Sequence, residues 1–220
     1  MAKIIIFGIQ DFAELAHFYL THDSEHDVVG FCVTEEYLPP ERKYRGLPVY
    51  SFQDIECSHP TSDYHFFAPL SPRRMNKFRE DIYNKIKSKG YRLISYVSSK
   101  ATVFPEAIIG DNCFILEDNT IQPFTPIGNN VVLWSGNHIG HHGNIGDHVM
   151  ITSHVVVSGH CTIGNNTYIG VNSTLKDNIL IREGTFIAMG SVLAKDTEPW
   201  SVYKGVPAAA AKILSTQLRF

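Results

Sequence analysis

Branched apolar side chains recur at every sixth position of the chain from residue 97 to residue 193, without exception. An amphipathic helix repeats about every 3.6 residues and a half-buried strand about every 2, so neither produces this period. A six-residue repeat is typical of a parallel β-helix. The repeated positions are Val97, Val103, Ile109, Ile115, Ile121, Ile127, Leu133, Ile139, Ile145, Ile151, Val157, Ile163, Ile169, Leu175, Ile181, Ile187 and Leu193. We therefore predict a β-helix domain over residues 97–198.

The repeat also predicts which residues stack on one another. If each hexapeptide forms one side of a triangular prism, three complete a coil, and equivalent residues lie about 4.8 Å apart in neighbouring coils. The apolar residue points inward, and so does the mostly small residue four positions later, such as Ala101, Thr125 or Ser173. Several apolar residues are followed by glycine, as at Gly110 and Gly140, where we expect a turn with positive φ.

Before Val97 the repeat is absent and an α/β rhythm takes its place. Asp11 and Glu14 have the spacing of a capping box, which predicts a helix from Asp11 to about Thr21. Apolar runs predict strands at Lys3–Phe7, Val28–Val33, Tyr64–Ala68 and Tyr91–Tyr96, and a basic amphipathic stretch predicts a second helix over about Arg73–Lys89. Alternating strands and helices favour a small, Rossmann-like parallel sheet in residues 1–96, which leaves residues 199–220 as a C-terminal tail.

Open parallel sheets bind ligands beyond the carboxyl ends of their strands. In this domain the rule predicts one crevice, lined by Gly8, Ile9, Gln10, Thr34, Glu35, Pro69, Leu70 and Ser71. Only Gly8 remains of a dinucleotide fingerprint, and Asp11 at the helix start would repel a diphosphate. A crossover without any ligand therefore stays an alternative.

Histidine is concentrated in the middle of the repeat, where six of the eleven histidines fall between residues 138 and 160. The predicted stacking sets His141 beneath Gly159 and His142 beneath His160. We expect Trp134 and Asn137 on the same approach, so that the patch combines an aromatic ring, an amide and imidazoles.

This arrangement suits acyl transfer, although a solvent-facing histidine is often only a polar surface residue. Imidazoles in general titrate near neutrality, so His141 is a candidate to take a proton from an attacking amine or hydroxyl group. The Gly159 N–H has no side chain in the way and can stabilise an oxyanion on the acyl carbonyl. The pair therefore predicts direct transfer, with His141 as general base.

Composition narrows the range of partners. A net charge of -3 and a pI near 6.4 give no electrostatic case for nucleic acid. The four cysteines are scattered without a CxxC pair, which is typical of a reducing compartment. No apolar run approaches the length of a membrane span, about 18 residues. We expect a cytoplasmic protein without membrane insertion and without a metal.

The repeat, the segment from Asn137 to His142 (Asn-His-Ile-Gly-His-His) and the tail from Lys204 (Lys-Gly-Val-Pro-Ala) resemble the NeuD-type sugar acyltransferases. The resemblance covers nearly the whole chain. It implies a left-handed β-helix in a homotrimer, acetyl-CoA between neighbouring prisms, and transfer to an amino group of a nucleotide-linked sugar for surface polysaccharide or lipopolysaccharide synthesis.

The resemblance also implies roles for individual residues. His141 falls on the catalytic base of the family, and Gly159 on the glycine whose amide meets the thioester carbonyl. Residues implied to contact CoA are Ser158, Gly159, Gly190, Lys204, Gly205 and Pro207. The nucleotide sugar is implied to lie against the crevice residues together with Trp134 and His138.

The chain departs from the family in places that bear on the site. The acidic residue that follows the family's base is replaced by His142, and a second family histidine corresponds to Met150. The partner that orients His141 is therefore open between Asn137, His138 and a residue of a neighbouring chain.

Three alternative functions stay open at this point. A sugar O-acetyltransferase would use the same residues. A zinc-dependent β-helix hydratase could use His138, His141 and His142, although adjacent side chains should diverge in an extended strand. A non-catalytic binding protein on the same prism is the third.

Overall fold

The computed structural model describes residues 3–218 and divides them between a small α/β sheet and a three-sided β-helix. The N-terminal elements are β1 (Lys3–Phe7), α1 (Asp11–His22), β2 (Asp27–Val33), a 3₁₀ turn (Glu35–Tyr37), β3 (Lys43–Tyr44), β4 (Leu47–Ser51), α2 (Ile55–Ser58), β5 (Tyr64–Phe67) and α3 (Lys77–Ser88). The sheet order is β3-β4-β2-β1-β5, and all pairs are parallel except β3 with β4.

Several details of this domain differ from the sequence prediction. The capping box does not form, because Gln10 is the N-cap and Asp11 is already the first helical residue. The short strands β3 and β4 were not predicted. The second helix begins at Lys77 rather than Arg73, because residues 74–76 have positive φ and cannot continue a helix. Of the predicted strand Tyr91–Tyr96, only a bridge at Leu93 and the last residue pair with neighbours.

The β-helix consists of three parallel sheets, which we call the first, second and third faces. The first face holds β6 (Tyr96–Val97), β8 (Phe114–Ile115), β10 (Val132–Leu133), β13 (Met150–Ile151), β16 (Tyr168–Ile169), β19 (Phe186–Ile187) and β21 (Ser201–Lys204), with β22 (Ala209–Leu214) antiparallel at its edge. The second face holds β7 (Thr102–Val103), β9 (Thr120–Ile121), β11 (His138–Ile139), β14 (Val156–Val157), β17 (Thr174–Leu175) and β20 (Val192–Leu193). The third holds β12 (Asn144–Ile145), β15 (Thr162–Ile163) and β18 (Leu180–Ile181), and a second 3₁₀ turn (Ser215–Gln217) follows β22.

The apolar repeat forms the interior of the prism, as the sequence predicts. From Ile115 to Leu193 each repeat residue is at most 2% exposed. Those from Ile115 to Leu175 each pair with the residue eighteen positions on, as Leu133 pairs with Ile151. From Cys113 to Ser191 the small inward positions are buried as well, except for the half-buried Gly143. At Thr125 the hydroxyl donates to the Gly140 carbonyl (2.6 Å) and accepts from the Gly143 N–H (3.0 Å), so a corner of the coil is closed by a side chain. The expected fold class is confirmed, whereas the exact domain boundaries stay a prediction.

The glycines that follow the apolar residues do not have positive φ, so that expectation is wrong. The left-handed residues lie two positions further on, for example Asn112 after Gly110 and His142 after Gly140. The glycines are needed for a different reason. A Cβ on Gly140 would lie 2.5 Å from the backbone nitrogen of Gly159 in the next coil. Glycine therefore allows the corners to approach closely, and asparagine or histidine turns the chain.

The α/β domain packs on the first face of the prism. Phe114, Val132 and Met150 share one buried cluster with Ile4 and Phe67 of the sheet. Of the helices in the described part of the chain, none is long and apolar enough to cross a membrane.

A buried arginine links α3 to a corner of the prism. Arg79 is 1% exposed, and its guanidinium donates to the Asn130 carbonyl, to the His148 carbonyl (3.4 Å) and to Asn76 Oδ1 (2.9 Å). Burial lowers the pKa of His148, and its Nδ1 lies 2.9 Å from Asn130 Nδ2, which fits a neutral ring accepting a hydrogen bond. The two domains are therefore joined by polar contacts as well as by apolar packing.

We expect Ile163→Ala to lower the free energy of unfolding by about 2–5 kcal/mol, because it leaves a cavity in a close-packed interior. Thr162→Ala is the matched control, since Thr162 lies on the same strand but points to solvent, and we expect a change within about 0.5 kcal/mol. Urea unfolding followed by circular dichroism measures both. Equal losses would contradict the assignment of inward and outward positions.

Candidate active site

The candidate site lies at one corner of the prism, between the second and third faces. We call it the histidine corner: residues 140–143 and, in the next coil, residues 158–161. Its backbone is held by the neighbouring coils, since the His142 N–H donates to the Pro123 carbonyl (3.3 Å) and the His160 N–H to the His141 carbonyl (2.9 Å). The side chains of His141, His142 and His160 are exposed. The corner therefore presents three imidazoles on a fixed backbone.

The imidazole of His141 lies against Gly159, as the stacking predicts. A Cβ on Gly159 would be 2.9 Å from Cε1 and 3.1 Å from Nε2 of His141, which is closer than side chains normally approach. Any larger residue at position 159 would push the ring away. Glycine here makes room for the imidazole beside the main chain.

The backbone N–H of Gly159 is available to a ligand. Within residues 3–218 it forms no hydrogen bond. In the preceding coil the equivalent N–H, that of His141, donates to Gln122 Oε1 (3.0 Å). The residue that corresponds to Gln122 one coil on is Gly140, which has no side chain to accept a bond. Because residues 140 and 159 are both glycine, the Gly159 N–H is free and lies beside the His141 imidazole.

The three imidazoles converge rather than diverge. His141 Nδ1 lies 3.0 Å from His142 Nδ1, and the rings of His142 and His160 stack with centroids 5.3 Å apart. The expectation that His141 and His142 point apart is wrong, because His142 has a φ of 55° and lies in a turn rather than in an extended strand. Phe124 packs against the His142 ring at 4.7 Å and supports it from the coil before.

Asn137 does not belong to this surface, which corrects the sequence prediction. Its side chain is 2% exposed and lies inside the coil. Nδ2 donates to the Trp134 carbonyl (2.5 Å) and Oδ1 accepts from the Val155 N–H (2.8 Å), so both ends of the amide are used by the main chain. Asn137 occupies the small inward position of the repeat and cannot orient His141. The hydrogen-bond partner that the structure gives His141 is His142.

Trp134, His138 and Met150 also lie apart from the histidine corner. Trp134 packs edge-on against Phe12 of α1, at a ring distance of 5.6 Å, and so joins the two domains. His138 begins β11 and is half-buried on the second face. Met150 is buried on the first face, where it belongs to the domain contact.

The crevice of the α/β domain forms a cavity of about 570 Å³. Of the predicted residues, Gly8, Ile9, Gln10, Thr34, Pro69, Leu70 and Ser71 line it. Glu35 does not, because it starts the 3₁₀ turn that directs the next residue, Glu36, to the cavity instead. Trp134 and His138 are also not among the lining residues.

The charges around the cavity are mixed. Asp11 and Glu36 contribute acidic groups, and Arg73 and Lys85 contribute basic groups that the sequence rule did not include. A hydrogen bond from its own backbone N–H, with one from the Thr34 side chain, lowers the pKa of Glu36, so its carboxylate is ionised at neutral pH. A ligand with an anionic part and hydroxyl groups would find partners of both kinds here.

The residues implied to hold CoA lie in three places: the histidine corner, a second corner of the prism and the C-terminal tail. Ser158 adjoins Gly159 at the histidine corner, whereas Gly190 lies at the corner between the first and second faces, with open space where a Cβ would be. The tail closes over the last coil, because the Gly205 carbonyl accepts from the Val192 N–H (3.1 Å) and the Ala208 N–H donates to the Val192 carbonyl (2.8 Å). Lys204 ends β21, and Pro207 lies in the loop before β22. The last two residues of the predicted tail lie outside the described residues.

The architecture is that of the sugar acyltransferases built from an α/β domain and a left-handed β-helix, so the resemblance noted in the sequence is confirmed for the fold. A perosamine N-acetyltransferase variant from Caulobacter crescentus, solved with CoA and GDP-perosamine, matches with a TM-score of 0.84 and 17% identity over 97% of this chain and 98% of that chain. The acetyltransferase domain of PglB from Neisseria gonorrhoeae, solved with acetyl coenzyme A, matches with a TM-score of 0.81 and 18% identity, over 95% of this chain and 98% of that chain.

WeeI from Acinetobacter baumannii matches with a TM-score of 0.80 and 20% identity, over 96% of this chain and 100% of that chain. No protein-family model matches the sequence, and no curated protein does so either. The shared architecture is thus visible in three dimensions where overall sequence similarity is low.

We expect Asn137→Ala to lower the free energy of unfolding by about 1–3 kcal/mol, because a buried carbonyl and a buried N–H lose their partners. His138→Ala, one residue on, removes a half-buried side chain that faces outward and serves as the control. Chemical unfolding of both variants is the measurement. A variant of Asn137 that unfolds like the wild type but no longer binds ligand would place Asn137 in the site after all.

Proposed function

We propose that the protein transfers the acetyl group of acetyl-CoA to an amino group of a nucleotide-linked sugar, in the synthesis of a surface polysaccharide. The observation that carries the proposal is the contact of the His141 imidazole with Gly159, whose N–H has no acceptor within residues 3–218. A base and an oxyanion donor, one coil apart, are the two groups that direct acyl transfer needs. The structural neighbours solved with CoA or acetyl-CoA support the same chemistry.

In the proposed reaction the sugar amine attacks the thioester carbonyl while His141 takes a proton from the amine. The Gly159 N–H donates to the oxyanion of the tetrahedral intermediate. When the intermediate collapses, the C–S bond breaks, the amide remains on the sugar, and the proton held by His141 passes to the leaving thiolate. Each of the two groups is expected to contribute about 10²–10³-fold to the rate.

His142 is the proposed positioning residue for His141. With the proton of His141 on Nδ1, that N–H donates to Nδ1 of His142 at 3.0 Å, and Nε2 stays free to act as the base. Phe124 against His142 limits rotation of the supporting ring. The imidazole of His142 thus fills the place of the acidic residue that often follows the base in the family that the sequence resembles.

The cavity of the α/β domain is the proposed site for the nucleotide part of the sugar substrate. Its position beyond the strand ends, its mixed charges and the GDP-perosamine bound by a structural neighbour support this assignment. Arg73 and Lys85 are the groups in it that favour a diphosphate, against Asp11 and Glu36.

We further propose a homotrimer in the cytoplasm, with acetyl-CoA between neighbouring prisms. Large apolar side chains on the outside of the prism support such contacts, since Phe124 is 54% exposed, Ile108 72% and Met189 79%. In such a trimer Ser158 and Gly190, which lie at different corners of one chain, can face the same CoA from two chains. Lys204, Gly205 and Pro207 would lie near the end of the same groove.

We expect His141→Asn to lower kcat for acetyl transfer by about 10²–10³-fold, the contribution assigned above to the general base. Acetyl-CoA should still raise the melting temperature of the variant, because the base is not needed for binding. The assay uses UDP-, GDP- and dTDP-linked amino sugars, with their hydroxyl analogues to distinguish O-acetylation. His154→Asn, which removes another exposed corner histidine, is the control. Undiminished turnover of the His141 variant would refute the proposed role.

We expect Gly159→Ala to lower kcat by about 10²-fold while the protein keeps its melting temperature. The added methyl group displaces the His141 ring from the N–H, and a shift of about 1 Å is enough for such a loss. The KM for acetyl-CoA and the melting temperature separate misplacement of the base from misfolding. Thr162→Ala, on the exposed side of the third face, should behave like the wild type. If Gly159→Ala is fully active, the contact between His141 and Gly159 is not part of the reaction.

A further inference from the structure

Three histidines of the histidine corner form a cluster with the dimensions of a metal site. One ring nitrogen from each of His141, His142 and His160 lies within 4.8 Å of the other two. In a tetrahedral zinc site with Zn–N distances of about 2.0–2.1 Å, neighbouring ligand nitrogens lie about 3.3 Å apart. The Nδ1 atoms of His141 and His142 are already 3.0 Å apart, and the exposed ring of His160 has to move towards them to reach this spacing.

The backbone supports this cluster without any ion. The His142 and His160 main chains are in the same left-handed conformation, with φ of 55° and 58°, and they stack in successive coils. Their N–H groups are bonded to the Pro123 and His141 carbonyls, so the spacing of the two rings is set by the fold. Binding an ion therefore requires ordering of side chains alone.

The chemistry of the donors selects the kind of ion. Three neutral imidazoles, with no carboxylate in the cluster, favour Zn²⁺ and other imidazole-binding transition metals over Mg²⁺ or Ca²⁺, which prefer oxygen. All three rings are exposed, so solvent can supply the fourth ligand. One chain provides every protein ligand, so the site does not depend on oligomerisation.

We propose that His141, His142 and His160 form a zinc site that inhibits the enzyme reversibly. Zinc bound to His141 occupies the lone pair of a nitrogen and breaks the hydrogen bond between His141 and His142. The imidazole then no longer serves as a base with a free Nε2. The inhibition rests on the proposed acetyltransferase function, whereas the binding of zinc does not.

His160→Asn is the variant that tests the site. Asparagine occupies the equivalent left-handed position at Asn166, Asn172 and Asn178, so the backbone is preserved while a zinc ligand is lost. His154→Asn is the matched control, because His154 is also an exposed corner histidine with positive φ, 58°, and lies outside the cluster. His160 takes no step in the proposed reaction, but its ring stacks on that of His142, so each variant is compared with its own rate in the absence of zinc.

The experiment has two independent readouts on the full-length protein. After treatment with a chelator, the protein is titrated with ZnCl₂ in competition with a chromophoric chelator. We expect one zinc ion per chain for the wild type and for His154→Asn. For His160→Asn we expect a loss of affinity at least as large as the about 10–100-fold seen when a supporting residue is removed at a metal site. Equal zinc affinity in all three proteins, or no zinc binding by the wild type, would overturn the proposal.

The second readout is acetyl transfer in the presence and absence of ZnCl₂. We expect zinc to inhibit the wild type and His154→Asn, a chelator to restore their activity, and His160→Asn to keep its own zinc-free rate at the same zinc concentration. Inhibition of all three proteins at one concentration would contradict a role for the cluster. If the protein transfers no acetyl group to any acceptor, the acetyltransferase proposal fails, and the titration still decides the existence of the zinc site.

Discussion

The fixed offset between neighbouring coils is the constraint on which the rest of the structure depends. Each coil pairs with the next at an offset of eighteen residues, as Ile139 does with Val157, next to the hydrogen bond from the Gly140 N–H to the Val157 carbonyl at 2.8 Å. A slip by one residue would turn every inward apolar side chain to solvent, so the register is strongly specified. The contact of His141 with Gly159 is a direct consequence of this register. The backbone of the site is therefore held by the same register as the core of the prism beneath it.

Within this frame, small residues at the corners decide what the site can do. Gly140 carries no side chain, so the Gly159 N–H has no acceptor corresponding to Gln122, which binds the His141 N–H. Gly159 carries none either, so the imidazole can approach the main chain. The left-handed turn at His142 then brings a second imidazole to the first. Substitutions at corner positions such as Gly140 and Gly159 can thus create or remove the candidate site without changing the apolar repeat.

The prism and the contact of His141 with Gly159 could be predicted from the sequence because a strict period determines stacking. The direction of the His142 side chain was missed, because the pattern of apolar residues does not itself show that the residue three positions after most of them is left-handed, as His142 is. Asn137 was misplaced although the repeat itself puts it in the small inward position, four residues after Leu133, where its amide bonds to the main chain. In the α/β domain, β3 and β4 are short and interrupted by Gly46 and Pro48, so they lack a clear apolar pattern.

The burial of Arg79 could not be predicted from the sequence either. A basic helix face is usually solvated, and nothing in the sequence around Arg79 indicates burial. At the corners of a β-helix, however, carbonyl groups such as that of Asn130 point outward, and α3 covers this corner and removes its water. Buried carbonyls need donors, and a guanidinium offers several in one plane. Arg79 supplies these donors where α3 packs against the prism.

The replacement of a carboxylate by His142 connects the proposed reaction with the proposed zinc site. A carboxylate beside His141 would fix the ring and add a negative charge that stabilises the protonated base. An imidazole fixes the ring through one hydrogen bond and adds no charge, so His141 depends more on its immediate geometry. The same lone pair that accepts this hydrogen bond can instead bind a metal ion, with His160 one coil away as a third ligand. The imidazole of His142, which would orient His141, is therefore also the ligand that would help a transition metal bind to His141.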